Sequence, residues 1–291
     1  MAQNASRQTR SEQRDAAREK AKALREASAR KERTRSTTIK VAIAAVVVVA
    51  VALIGLSING AVNQAKNDSA VPANLIYDNG IKIGTNLEAY TTSQTPAPAA
   101  SSSTASGTVP NIVIYLDYQC PICNIFEQGN ADQLRQWAKT GAATLEIHPI
   151  SFLDGRASPN TYSSRAANAA LCVASYSPNN FLDFSNLLFQ HQPAEGTPGP
   201  ENPELVKRTT EVGVQNAAKI ADCINNKTYG KWLTNTTNTV LGTDYKVKGA
   251  NFGVTGTPTI VVNGNQYDWQ GNGTYLASPA RFAAWFQQVI K

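Results

Sequence analysis

Two cysteines separated by two residues stand where a buried strand gives way to a helix, and that junction restricts this chain more than any other feature of it. Asn111-Ile-Val-Ile-Tyr-Leu-Asp117 is apolar, β-branched and of strand length. Tyr118-Gln119 follow, then Cys120-Pro121-Ile122-Cys123. From Asn124 to Lys139 the composition is helical, with Ile125, Phe126, Leu134 and Trp137 for a core face. A thiolate, the attacking species in disulfide exchange, is stabilised at a helix N-terminus by free N–H groups and the positive end of the dipole. Pro121 suits the first turn, where its missing N–H costs nothing. The two-residue spacer lets the sulfurs close a small ring, so Cys123 can attack a mixed disulfide made by Cys120 and release its partner. A zinc site would need further ligands, usually a second close pair. Cys172 and Cys223 lie far apart, and His148 and His191 are the only histidines. No metal or other cofactor is therefore expected. The plainer alternative is a purely structural Cys120–Cys123 disulfide.

A second motif stands near the C-terminus, Gly253-Val-Thr-Gly-Thr-Pro258-Thr-Ile-Val-Val-Asn-Gly264. It reads as a loop ending in Thr257-Pro258, a strand from Thr259 to Val262, a hairpin turn at Asn263-Gly264 and a return strand from Gln266. A last helix is expected over about Ser278 to Ile290, with Phe282, Trp285, Phe286 and Val289 apolar. Strand, CPxC and helix, followed by a late G-T-P-T loop and hairpin, resemble the thioredoxin superfamily and in particular its DsbA-like branch. A long, mostly helical insertion marks that branch, and here it is expected at about 155–250. Within it Ser163-Ser-Arg-Ala-Ala-Asn-Ala-Ala-Leu-Cys172-Val-Ala174 resembles the membrane-anchored DsbA-like proteins of actinobacteria. The resemblance covers 109–291 and implies an α/β, thioredoxin-like fold. It also implies a cis Thr257–Pro258 bond against Cys120, whose backbone pairs with a substrate chain like an added strand.

The best-known pattern of the branch has His as the second residue between the cysteines, and here that residue is Ile122. Thioredoxins also carry a buried acid six residues before the first cysteine, a place held here by Ile114. Asp117 is the nearest acid on the strand side and reads as a helix cap. Glu127, one helical turn beyond Cys123, reads either as a proton relay or as part of a solvated helix face. Cys172 lies in a helix of small residues and Cys223 ends another, Val214 to Ile224. The pair is expected to form a structural disulfide pinning two insertion helices, or else to remain two buried thiols. His148, in the strand Ala143 to His148, reads as a satisfied core residue, and His191 as a surface residue in a loop with Pro and Gly. The Asn-x-Ser/Thr matches at Asn226, Asn235 and Asn272 mean nothing by themselves.

The N-terminal third has a different character. Residues 1–38 form a basic, helix-prone tail with little apolar surface, read as cytoplasmic. Val41 to Ile58 is an uncharged apolar run whose length of about 27 Å matches a bilayer's hydrocarbon core. We expect one transmembrane helix at 39–59, uncleaved, with a cleaved signal peptide as the alternative. Lys and Arg crowd before it and only Lys66 lies close after it, which puts the N-terminus in the cytoplasm and the rest outside. Residues 60–108 are expected to be an extracytoplasmic linker, of low complexity from 91 to 108, with an edge hairpin at 74–90 turning at Asp78-Asn79-Gly80.

The formal charge of +6 does not point to nucleic acid. Residues 1–40 hold twelve Lys or Arg against five Asp or Glu, whereas the remainder holds 15 against 16 and is nearly neutral. The expected activity is formation of disulfides in exported proteins with free thiols. The resemblance implies reoxidation by a membrane oxidase of the DsbB or vitamin K epoxide reductase type. Ile122 keeps the reverse direction open, a disulfide reductase or isomerase using the same site. A redox-silent assembly or binding module is the reading from another class.

Overall fold

In this computed structural model, residues 19, 22, 70–76, 79–92, 109–155, 161–269 and 271–291 are described. Two compact units divide between Val62 and Asn63. In the first, Glu19 and Lys22 are helical and exposed. The apolar run expected to span a membrane at 39–59 lies outside the described residues, as do 93–108. Among the described residues no helix is long and apolar enough to cross a membrane.

The second unit is built on a mixed five-stranded sheet of order β1-β3-β2-β4-β5. Its strands are β1 (Ile81–Ile83), β2 (Asn111–Leu116), β3 (Thr144–Pro149), β4 (Thr259–Val262) and β5 (Asn265–Gln266). Strands β2 and β3 run parallel, so their connection must cross over, and helix α1 (Pro121–Thr140) makes that crossing. β4 pairs antiparallel with β2, and β5 with β4, through the turn at Asn263-Gly264. Alternation along β2 divides the core. Ile112, Ile114 and Leu116 join Phe126 and Leu134 of α1 in the main cluster. Tyr115 belongs to a smaller one with Ile150, Val240, Val247, Val254 and Val261. Within 74–90, β1 forms the sheet edge against β3, with lone bridges Ile76–Gly80 and Ile83–Ala89 beside it. Asp78 of the expected turn lies outside the described residues.

Among the described residues five α-helices lie between β3 and β4: α2 (Tyr162–Tyr176), α3 (Phe181–Gln190), α4 (Asn202–Glu211), α5 (Ala217–Asn225) and α6 (Gly230–Val240). From Tyr162 to Ala174 every residue of α2 except Ser164 is buried. Its run of alanines lets neighbours close on several sides, so α2 is the axis of the insertion. Cys172 of α2 is bonded to Cys223 of α5, with Cα atoms 5.9 Å apart across 51 residues of sequence. After β5 come α7 (Gly273–Leu276) and α8 (Pro279–Val289), the latter capped by Ser278. Phe282 and Phe286 of α8 pack on α1, edge-on to Phe126 at 5.3 Å and stacked on Trp137 at 4.5 Å. His148 is a satisfied core residue, 3.0 Å from Glu146 Oε1 and stacked on Tyr115. His191 is exposed.

Candidate active site

Strand β2 ends at Leu116 and α1 begins at Pro121, so residues 117–120 make the turn between them and Cys120 is the helix N-cap. Cys120 is 6% exposed and Cys123, one turn into α1, is fully buried; both are free thiols. The strand order brings the far end of the domain to the same place. The Thr257–Pro258 peptide bond is cis, and Cys120 Sγ lies 3.3 Å from the Thr257 carbonyl oxygen. The sequence-predicted Cys120, Cys123, Thr257 and Pro258 therefore converge. Pro121 is exposed and Ile122 half-buried against the core. Cys172 and Cys223 serve the insertion instead.

The two thiols are driven apart. A hydrogen bond with Cys123 is the main influence that brings the Cys120 thiol down to about 7, against burial. The Thr257 hydroxyl, which has no other partner, and the N–H groups of Cys123 and Ile122 work in the same direction. These amides are the open donors of the first helical turn, the physical reason for placing the motif there. Cys123 moves the opposite way. Burial pushes it well above its ordinary value, and the charges of Cys120 and Asp117 add to the shift, while the Asp117 N–H opposes it.

Asp117 does not cap α1. The cap position is Cys120, and no side chain accepts from the helix N–H groups there. The carboxylate of Asp117 is fully buried and accepts from three donors: Gln119 N at 2.8 Å, Leu153 N at 2.9 Å and Ser163 Oγ at 2.7 Å. Burial outweighs these bonds and pushes the carboxyl up to about 6. Glu127 does not lie on a solvated face either; it is 7% exposed, and burial pushes it up to about 7. Its charge is felt at Tyr118, whereas the carboxyl that acts on Cys123 is Asp117.

Sequence reasoning missed four polar residues around the turn. Tyr118 donates its hydroxyl to Ser185 Oγ at 3.0 Å. Gln119 donates to the carbonyls of Ala194 and Thr197, at 3.2 and 2.9 Å. Gln192 donates to the carbonyls of Tyr118 and Cys120, at 3.1 and 3.0 Å. Ser163 holds Asp117. Only Tyr118 and Gln119 carried a signal, their place beside the motif. Among the described residues no group of three or more His, Cys, Asp or Glu could hold a metal ion.

A thioredoxin family model matches residues 105–274. The chain is similar to the reduced disulfide bond oxidoreductase DsbG from Mycobacterium tuberculosis, with 28% identity and a TM-score of 0.54 over 72% of this chain and 87% of that one. The oxidised DsbA of the same organism also shares 28% identity, with a TM-score of 0.53 over 72% and 92% of the two chains. MdbA from Actinomyces oris, a thiol-disulfide oxidoreductase, shares the fold at 20% identity and a TM-score of 0.52, over 74% and 92%. No curated protein matches this chain.

Proposed function

This chain belongs to the thioredoxin family and is a DsbA-like thiol–disulfide oxidoreductase, and from that premise we propose that it forms disulfides in exported proteins through Cys120 and Cys123. In this reading a substrate thiolate attacks Cys120 of the oxidised pair, and the Cys123 sulfur leaves and takes up a proton. A second substrate thiolate then attacks the substrate sulfur of the mixed disulfide and expels the Cys120 thiolate. The substrate departs oxidised and the pair is left reduced. Asp117 is the buried acid whose charge bears on Cys123 and is its proposed proton partner, in preference to Glu127.

The observation that carries this reading is the split between the two thiols. A Cys120 thiol about two units below its ordinary value is about half ionised at pH 7, which favours the reduced pair there by about 0.4 kcal/mol, rising to about 3 kcal/mol only above pH 9. For a two-electron couple that makes the disulfide about 9 mV more oxidising than an unperturbed one at pH 7. A low-pKa Cys120 is also the better leaving group when the substrate is released. The proposed setting is the outer face of the cell membrane, with a membrane oxidase of the DsbB or vitamin K epoxide reductase type reoxidising the pair. The uncharged run from Val41 to Ile58 and the basic residues before it support an anchored domain with its N-terminus in the cytoplasm.

One observation favours the reverse direction. A value of about 7 for Cys120 is that of thioredoxin's attacking thiol, and Ile122 adds no charge to lower it further. The reduction potential of the full chain, equilibrated against glutathione, separates the two. A potential near the −120 mV typical of DsbA supports the oxidase, and one near the −270 mV typical of thioredoxin supports a reductase or isomerase. A chain with no reversible couple at Cys120–Cys123 overturns both.

A further inference from the structure

Each of the four residues of the turn before α1 is hydrogen-bonded to the helical insertion. Asp117 takes Ser163 Oγ of α2, and Tyr118 gives its hydroxyl to Ser185 of α3. Gln119 and the Cys120 carbonyl are tied to the loop between α3 and α4, through Ala194, Thr197 and Gln192. That loop is held from beneath. Arg165 of α2, 5% exposed, donates to the carbonyls of Pro198 and Pro200. Residues 194–198 are nonetheless exposed. A Pro- and Gly-rich loop is ordinarily mobile, and this one is fixed by buried donors on the side nearest the redox turn.

We infer that the insertion sets the reactivity of Cys120, and that Gln192 is the positioning residue through which it does so. The physical ground is the direction of the bonds. One amide nitrogen of Gln192 donates to both Tyr118 O and Cys120 O. The Cys120 carbonyl is also the first acceptor of α1, taking Asn124 N–H at 3.2 Å. The N–H groups that favour the Cys120 thiolate, those of Ile122 and Cys123, are aimed by that same first turn. Fixing the carbonyls on one side of the turn therefore fixes the donors on the other, and the Gln192 amide donates to the backbone of the same residue whose sulfur takes up negative charge. Cys123, Asp117, Tyr118 and Glu127 are titratable groups around the turn, Asp154 bears on Asp117 and Asp117 on Tyr162, and all are left intact by a change at Gln192.

The test uses the full chain with two substitutions of similar length. Gln192→Met removes both donors, and Gln192→Lys keeps a donor and adds positive charge. Thiolate absorbance against pH, alkylation rate and reduction potential are measured alongside thermal unfolding. Gln192→Met is expected to raise the Cys120 midpoint, slow alkylation at pH 6 at least threefold and make the couple less oxidising. Gln192→Lys is expected to move all three the other way. A midpoint and potential that stay in place in both variants overturn the inference, even if the melting temperature falls, because a purely structural role would show only there. If one variant does not fold, the other decides. The inference rests on Cys120–Cys123 being the redox pair. Failure of that reading would appear as a missing couple in the unsubstituted protein, failure of this one as an unmoved couple in the variants.

Discussion

The hydroxyl of Ser163, in the first turn of α2, donates to Asp117 Oδ1 at 2.7 Å and so joins the helical insertion to the carboxyl that bears on Cys123. With a carboxyl held at about 6, Asp117 accepts a proton above that pH and supplies one below it. Resolution of a mixed disulfide at Cys120 by Cys123 should therefore quicken as pH rises through 6. Asp117→Asn should slow that step about tenfold or more at pH 7 and remove the inflection. Ser163→Ala deletes a bond that favours the carboxylate, so the inflection should move up. Stopped-flow kinetics with a fluorescent mixed disulfide give both profiles, and an unaltered Asp117→Asn profile would rule out the relay.

Alkylation of the reduced protein should separate the two thiols. Cys120 should react with a midpoint near pH 7, and Cys123, fully buried and raised, should stay unmodified until unfolding. Cys123→Ser should accumulate a stable mixed disulfide with a disulfide substrate, whose other sulfur leaves as a thiol, and Cys120→Ser should form none. Mass spectrometry after timed quenching reads both, and modification of Cys123 ahead of Cys120 would reverse the assignment.

Glu127 predicts a pH dependence of stability. Its folded value of about 7 lies above the ordinary 4.5, so its protonated form is the one the fold prefers. Its stabilising contribution is fully present below pH 4.5 and is lost as pH rises to 7. By linkage the difference is about 3 kcal/mol. Glu127→Gln should flatten this part of the stability curve in denaturant melts at a series of pH values. A variant retaining the full slope would assign it to other groups, Asp117 first among them.

Removing the Cys172–Cys223 bond with paired alanines opens a loop of 51 residues. The chain-entropy model puts the loss at about 4 kcal/mol, or roughly 8–16 °C in melting temperature for a domain of this size. The Cys120–Cys123 couple should survive below the new transition. Calorimetry gives the first quantity and redox titration the second.

Gly129 lies inside α1, where alanine ordinarily stabilises a helix by about 1 kcal/mol. Here a Cβ would meet the Ala277 carbonyl oxygen at 2.3 Å, so α1 and the segment after α7 would have to separate. Gly129→Ala should destabilise by about 1–3 kcal/mol instead. A variant that melts higher than the parent would contradict the contact.

The parts of the site legible in the sequence are those written within a few residues of one another. Strand composition up to Asp117, the Cys120–Cys123 spacing and the helical face from Ile125 to Trp137 together placed the redox turn. Thr257-Pro258 was legible because its motif is local too, though its meeting with Cys120 came from resemblance. Asp117 was misread as a cap because capping is the commonest local use of an acid before a helix. Besides Gln119 two residues on, its actual partners, Leu153 and Ser163, stand 36 and 46 residues away. Glu127 was ambiguous because helical spacing gives the face of α1 and not what covers that face. Gln192 had no signal at all: an amide in a Pro/Gly-rich loop is ordinary surface until the insertion folds back onto the turn.

In the proposed oxidase, the bond between Cys172 and Cys223 makes every copy of this protein a customer of its own chemistry. A newly made chain carries four thiols, and two of them must lose their hydrogens before the insertion is pinned. The insertion in turn grips residues 117–120, so in the proposed oxidase the tool is pinned only after the reaction it performs has been performed on it. A mature copy can do this for the next, and the first copies in a cell need another oxidant. The amount of fully pinned protein should thus rise with a lag, each finished molecule shortening the wait of those that follow.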